Sequence, residues 1–227
     1  DVATHAAKDL LMHPLAIDNP DRLDELSKSY LYGVLEYFND ASFAPNAQQM
    51  LVGPDGRLDM DAMDYLSTVL KDQSVTALYS AYNNASLTNQ FDKRRLGRDI
   101  LNFVGQNPQA NQLFADTLNN NDGDGRIKVF AIIQLAGNVG GFGGGDNLTD
   151  LQIINQRLNY LQSIQSQYAG DPTLSKAFAA TIKSLQSGDP VEMRDIFGNN
   201  GQGGGGFGGG RRGGGGGNGG GNNNRGQ

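Results

Sequence analysis

Oxygen-bearing side chains alternate along one short stretch, Asn120, Asp122 and Asp124, and Gly125 follows at once. A hard divalent cation takes six to eight oxygen ligands, and alternate side chains of a tight turn supply them on one side. Glycine there allows the backbone to reverse. Arg126 would add its carbonyl oxygen, and Ile127 would turn an apolar side chain inward. Apolar stretches flank the turn, Leu113–Leu118 before it and Ile127–Leu135 after it, so a helix should lead in and another should lead out.

With Gly125 taken as the sixth loop position, this segment resembles the EF-hand family, whose loop runs D-x-[DN]-x-[DN]-G between two helices. The resemblance implies calcium held by Asn120, Asp122, Asp124 and the Arg126 carbonyl. It departs at the end of the loop: the family's bidentate Glu is replaced by Ala131, and Lys128 takes the ninth position. Calcium should therefore bind weakly, at about 10⁻⁴ to 10⁻³ M or worse, unless Asp116, Asp59 or Asp61 completes the site. The competing account is an acidic surface turn with no ion, since Asp and Gly are common turn formers.

A second segment, Gly53-Pro54-Asp55-Gly56-Arg57-Leu58-Asp59-Met60, repeats the Gly-Arg-apolar step. Aligning Gly56 with Gly125 sets Leu58 opposite Ile127, but Leu51 and Gly53 fall where ligands belong. This loop should bind no ion and should pair with the first across a short bridge. Because the two lie far apart in sequence, a degenerate loop near Leu96, in the segment QFDKRRLG, is expected between them, or the pairing is wrong.

Other candidate groups carry less. His5 and His13 are the only histidines and suit solvent-facing or capping roles. No G-x-S-x-G nucleophile elbow occurs. Acid pairs such as Glu36 with Asp40, or Asp59 with Asp61, would suit a polysaccharide hydrolase, although a solvated face is the favoured account of them. Lys93, Arg94, Arg95 and Arg98 form a local basic patch that suits internal salt bridges.

Elements must position these groups within 227 residues, enough for one large domain, with no Cys to support thiol chemistry, disulfides or Cys-ligated zinc. The last thirty residues hold 18 of the 33 Gly, so a core at residues 1–197 and a disordered Gly-rich tail at 198–227 are expected. The formal charge is −6, and the tail's Arg211, Arg212 and Arg225 leave −9 on the body. That acidity opposes nucleic-acid binding and favours a cation. Arg212-Gly213-Gly214 echoes RNA-binding RGG segments, but three Arg are few; a spacer, an adhesive or a self-associating segment is the expected role. The chain begins with Asp1, which suits removal of an upstream signal and a secreted or cell-envelope location.

The fold expected is all-α. Asn19-Pro20, Asn107-Pro108, Asp171-Pro172 and Asp189-Pro190 each pair a capping side chain with a helix-starting proline. Helices are expected at about 3–12, 20–39, 45–51, 60–71, 74–84, 87–105, 108–118, 127–137, 148–168, 172–186 and 190–196. Leu23, Leu26, Tyr30, Leu31, Val34, Leu35 and Phe38 should share one buried face of the second. Between the eighth and ninth helices, GNVGGFGGGDN reads as a hinge or loop, and the segments begun by Pro45, Pro108 and Pro172 suggest repeated helix-loop-helix units. The function that follows is a non-enzymatic, weakly calcium-binding module that stabilises or tethers an extracellular or envelope assembly. Its rivals are a metal-free helical scaffold that binds a protein or itself, and a carboxylate-pair hydrolase.

Overall fold

The computed structural model describes residues 2–12, 25–120, 124–137 and 151–198; for Glu25, Leu26 and Ser27 only the backbone is described. The loop at 138–147, the Asn19-Pro20 start and the tail beyond residue 198 lie outside that set. Among the described residues the chain is all-helical: α1 Val2–Met12, α2 Glu25–Tyr37, α3 Ala44–Met50, α4 Met60–Leu70, α5 Val75–Tyr82, α6 Gln90–Leu101, α7 Pro108–Asn119, α8 Gly125–Ile133, α9 Leu151–Ile164, α10 Pro172–Ser187 and α11 Met193–Phe197. No helix among them is long and apolar enough to cross a membrane.

Local chemistry sets most of the starts. Asn107 and Asp171 each accept hydrogen bonds from the first-turn amides while a proline follows. At Asp189-Pro190 the expected start fails. Gly188 closes α10 in the left-handed conformation, Ser184 donates to the Asp189 carbonyl, and Val191 is buried before α11 begins at Met193. Burying Val191 keeps the segment extended where the proline alone would have opened a helix.

The core runs continuously through both halves. α2 packs on α1 and α4, and α3 on α4; α6 meets α5 and α7, α7 meets α8, and α10 gathers α8, α9 and α11. Tyr32, Phe43 and Tyr65 meet ring to ring in the first half, and Phe114, Tyr160, Phe178 and Tyr168 in the second. The buried face of α2 keeps part of the expected stripe and loses part of it. Tyr32 and Leu35 enter the core with Leu31 and Val34 beside them, whereas Tyr30 and Phe38 stand exposed. Tyr32, which the stripe left out, is drawn in by edge-on contact with Phe43 and tilted contact with Tyr65, two rings that also meet each other.

Where α9 crosses the end of α6, Arg157 is buried, and burial is the one influence on its guanidinium resolved among the described residues. Its guanidinium donates to the carbonyls of Leu135, at 2.7 Å, and Asn102. Both carbonyls close helical segments, so the charge sits where their dipoles are negative. Burial still lowers the Arg157 pKa to about 10.

Candidate functional site

The four residues expected to hold an ion have different fates. Asn120 is the C-cap of α7 and is exposed. Asp124 is the N-cap of α8, its carboxylate accepting from the Arg126 amide at 2.9 Å. Gly125 is the first residue of α8 and Arg126 the second, so both are helical rather than part of a reversing loop. Ile127, expected to point inward, is 53% exposed. Asp122 lies outside the described residues, as do Asn121 and Gly123.

The backbone expected at Gly125 occurs at the second segment. Gly56 has φ +74°, and the chain doubles back through paired hydrogen bonds, Gly53 N–H to Arg57 O at 2.8 Å and Asp59 N–H to Leu51 O at 3.0 Å. Leu58 forms its antiparallel bridge with Val52 of the same loop, not with Ile127. Asp55 accepts from the Arg57 amide, and Asp59 caps α4 by accepting from Ala62 N–H. Leu51 and Leu58 are buried beneath the turn.

This loop has a partner, though not the expected one. The segment around Leu96 is the interior of α6; residues 83–89, between α5 and α6, form the neighbouring loop. A Cβ built on Gly56 would lie 2.5 Å from the Ser86 carbonyl oxygen, so the two backbones touch. Asn84 accepts from Ser86 N–H, Leu87 is buried, and Asn89 caps α6.

One carboxylate joins the two loops. Asp92, in the first turn of α6 and 0% exposed, accepts from Arg57 Nε at 2.8 Å and from the buried Leu58 amide at 3.3 Å through the same oxygen. Its other oxygen is buried without a partner among the described residues. Sequence inspection missed Asp92 because its two partners lie 34 and 35 residues away and its own neighbourhood looks like a charged helix start.

Acidic groups gather between α2, α4 and α6. Asp40 and Asp59, members of the acid pairs a hydrolase would use, are occupied: Asp40 caps the 41–43 turn and pairs with Lys8, and Asp59 caps α4 and pairs with Lys28. Glu36 instead faces Asp61 and Asp64, and burial followed by their charges raises its pKa. Burial leads the rise at Asp61 too, with Asp59 next. Asp64 is raised by burial and by Asp99 against the pull of Arg95, and Asp99 is raised by burial although Ser67 and Asn102 donate to it. Asp40 moves the other way, held well below the carboxylate range by hydrogen bonds from Ser42 and Lys8.

These shifts set a pH dependence. Raised carboxyls bind protons more readily folded than unfolded, so their contribution improves as pH falls from neutral through their folded pKa values. Asp40 works in the opposite sense, and its contribution is lost as pH drops below the ordinary carboxylate value of about 4. The melting temperature should therefore rise on acidification from neutrality, pass a maximum above about pH 4 and then fall. Asp64→Asn should flatten the rising limb in a melting series; an unchanged limb would show that these acids are not coupled.

Of the basic patch, Lys93 lies 5.0 Å over the Tyr82 ring and Arg95 approaches Asp64 at 4.0 Å, while Arg94, Arg95 and Arg98 are exposed. His5 is exposed beside Asp9, and His13 lies outside the described residues. A surface depression of about 340 Å³ between α10 and α11 mixes Lys183 and Arg194 with Asp189, Glu192 and Asp195, and selects no ligand by charge.

No family model, no curated protein and no solved structure matches this chain. Any functional conclusion therefore rests on the residues themselves.

Proposed function

We propose that the chain is a non-enzymatic helical scaffold that serves an assembly through protein contacts and whose loop pair is held shut by its own groups. The observation that carries this is the Asp92 carboxylate bound to Arg57 and the Leu58 amide under the Gly56–Ser86 contact. In a calcium-dependent helix-loop-helix pair, an ion gathers the loop oxygens and fixes the helix angle. Here an anion from α6 meets a cation and an amide from the loop, so the fixed angle needs no ion. The expected surface of contact is the exposed side of α2, where Tyr30 and Tyr37 are 74% and 84% exposed.

A second reading keeps a weak calcium ion at Asn120, Asp122, Asp124 and the Arg126 carbonyl. It is favoured by one feature, the exposed Asp124 carboxylate at the joint between α7 and α8, close in sequence to two further oxygen-bearing side chains. Two features weigh against it: the Arg126 amide already uses that carboxylate, and the positive end of the α8 dipole repels a cation.

Terbium luminescence separates the two. Wild type and Asp124→Ala are expected to give the same non-saturating response. Saturable binding to wild type that Asp124→Ala abolishes would establish the ion site and overturn ion independence at that loop.

A further inference from the structure

Four of the chain's 18 Lys and Arg fall between positions 93 and 98, inside α6. Packing against α5 and α7 gives that helix an inner and an outer side. Asp92, Leu96, Gly97, Ile100 and Leu101 are buried. Phe91, Arg94, Arg95 and Arg98 are exposed, and their spacing of three and four places them along one outer face. Two of the four cations have partners within the chain: Lys93 sits over the Tyr82 ring, and Arg95 approaches Asp64. Arg94 and Arg98 form no ion pair among the described residues.

Like charges one turn apart destabilise a helix. The helix dipole accounts for Arg98, which stands in the last turn, but not for Arg94. Phe91, at 65% exposure, adds an aromatic ring in water on the same face. Arg94 and Phe91 thus break local rules with no compensation inside the described fold, which is how a contact surface differs from a merely solvated one. The dimensions narrow the partner. Arg94 and Arg98 are about 6 Å apart along the helix axis, and Phe91 lies about 4.5 Å before Arg94. An extended peptide presents alternate side chains on one side about 6.7 Å apart. Carboxylates at alternate positions therefore match the two guanidiniums, each of which can form paired hydrogen bonds, and the next side chain on that side reaches the Phe91 ring.

We propose that the Phe91–Arg94–Arg98 face of α6 binds an extended acidic segment of a partner protein, with two alternate carboxylates on the arginines and an apolar side chain on Phe91. A nucleic acid fits less well. Its affinity grows with the number of phosphates neutralised, two unpaired guanidiniums neutralise few, and the remaining phosphates would face a body of charge −9. A short acidic segment brings little charge beyond the two that are paired, and at physiological salt the distant acids of the body are screened beyond about 8 Å. The proposal rests on the scaffold reading and gives the chemistry of one partner; its failure would leave the ion independence of the loop pair untouched.

An NMR titration of the isotope-labelled full chain tests it, the probe being a synthetic peptide with glutamates at two alternate positions and a leucine at the next. Saturable shifts should be confined to the amides around Phe91, Arg94 and Arg98 and to the two arginine Nε–H groups, and should vanish in high salt. Arg94→Gln with Arg98→Gln should weaken binding about tenfold or more, with the melting temperature close to that of wild type because both side chains are exposed. Arg94→Glu with Arg98→Glu should transfer the preference to a peptide with lysines in place of the glutamates. Wild type without saturable shifts, equal binding of a peptide whose glutamates are adjacent, undiminished binding by the glutamine variant, or no transfer of preference would overturn the proposal. An oligothymidylate that binds more tightly than the peptide would overturn it in favour of a nucleic acid, and association of the chain alone that the glutamine variant abolishes would do so in favour of a second copy.

Discussion

Gly56→Ala should destabilise the protein by about 3 kcal/mol, read as a lower urea midpoint. Two costs combine. A side chain in the left-handed conformation at φ +74° costs about 1–2 kcal/mol. The new Cβ would also lie 2.5 Å from the Ser86 carbonyl oxygen, and forcing the backbones apart adds about 1–3 kcal/mol. The consequence reaches further than the turn. Separating the loops at residues 51–59 and 83–89 pulls Arg57 and the Leu58 amide away from Asp92, and the carboxylate is left buried without its cation. A loss below about 0.5 kcal/mol, typical of an inconsequential surface change, would show that the loops do not bear on each other.

Gly105→Ala is expected to cost about 4 kcal/mol. Gly105 has φ +87°, and a Cβ there would lie 2.9 Å from the Cα and the N of Arg157 and from the carbonyl carbon of Gln156. Backbone atoms of α9 cannot swing aside as a side chain would. The helix must back away, and Arg157 then loses the carbonyls of Asn102 and Leu135 that hold its buried guanidinium. Gly170→Ala provides the control, because among the described residues nothing lies within 4 Å of its Cβ position and it is not in the left-handed region. The two variants should differ by several kcal/mol in urea unfolding; equal midpoints would remove the close crossing of α9 over the end of α6.

Much of the helical pattern was legible because its signals are local. An Asn or Asp followed by Pro marked the starts of α7 and α10, and helical spacing marked the body of α9. The same local logic misled at Asp189-Pro190, where burial of Val191 outweighs the punctuation. It misled in part on α2, where Leu35 is buried as the spacing requires but Tyr30 and Phe38, which match the same spacing, stand in solvent while Tyr32, which does not, takes the core. Aromatic residues satisfy a hydrophobic pattern whether or not they are buried, so their phase is settled only by what packs opposite.

The candidate site was legible in kind but not in place. A Gly-Arg-apolar step after an acidic residue occurs at both Gly56 and Gly125, and ligand-type side chains drew attention to the second. The reversal formed at the first, where Gly56 holds the positive φ, while Gly125 simply opens a helix capped by Asp124. What distinguishes the two is the carboxylate of Asp92, delivered from another helix. No local window contains that fact, and Arg157 was hidden for the same reason, with its carbonyl partners 22 and 55 residues away.

Hydrogen exchange at the Leu58 amide addresses the ion-independent loop pair most directly, since that buried N–H donates to Asp92 at the centre of the junction. Measured in excess calcium and again after chelation, its protection should be the same and close to that of the core helices, because protein groups alone close the loops. Protection that appears only with calcium, and collapses when the ion is withdrawn, would contradict a scaffold held by its own residues.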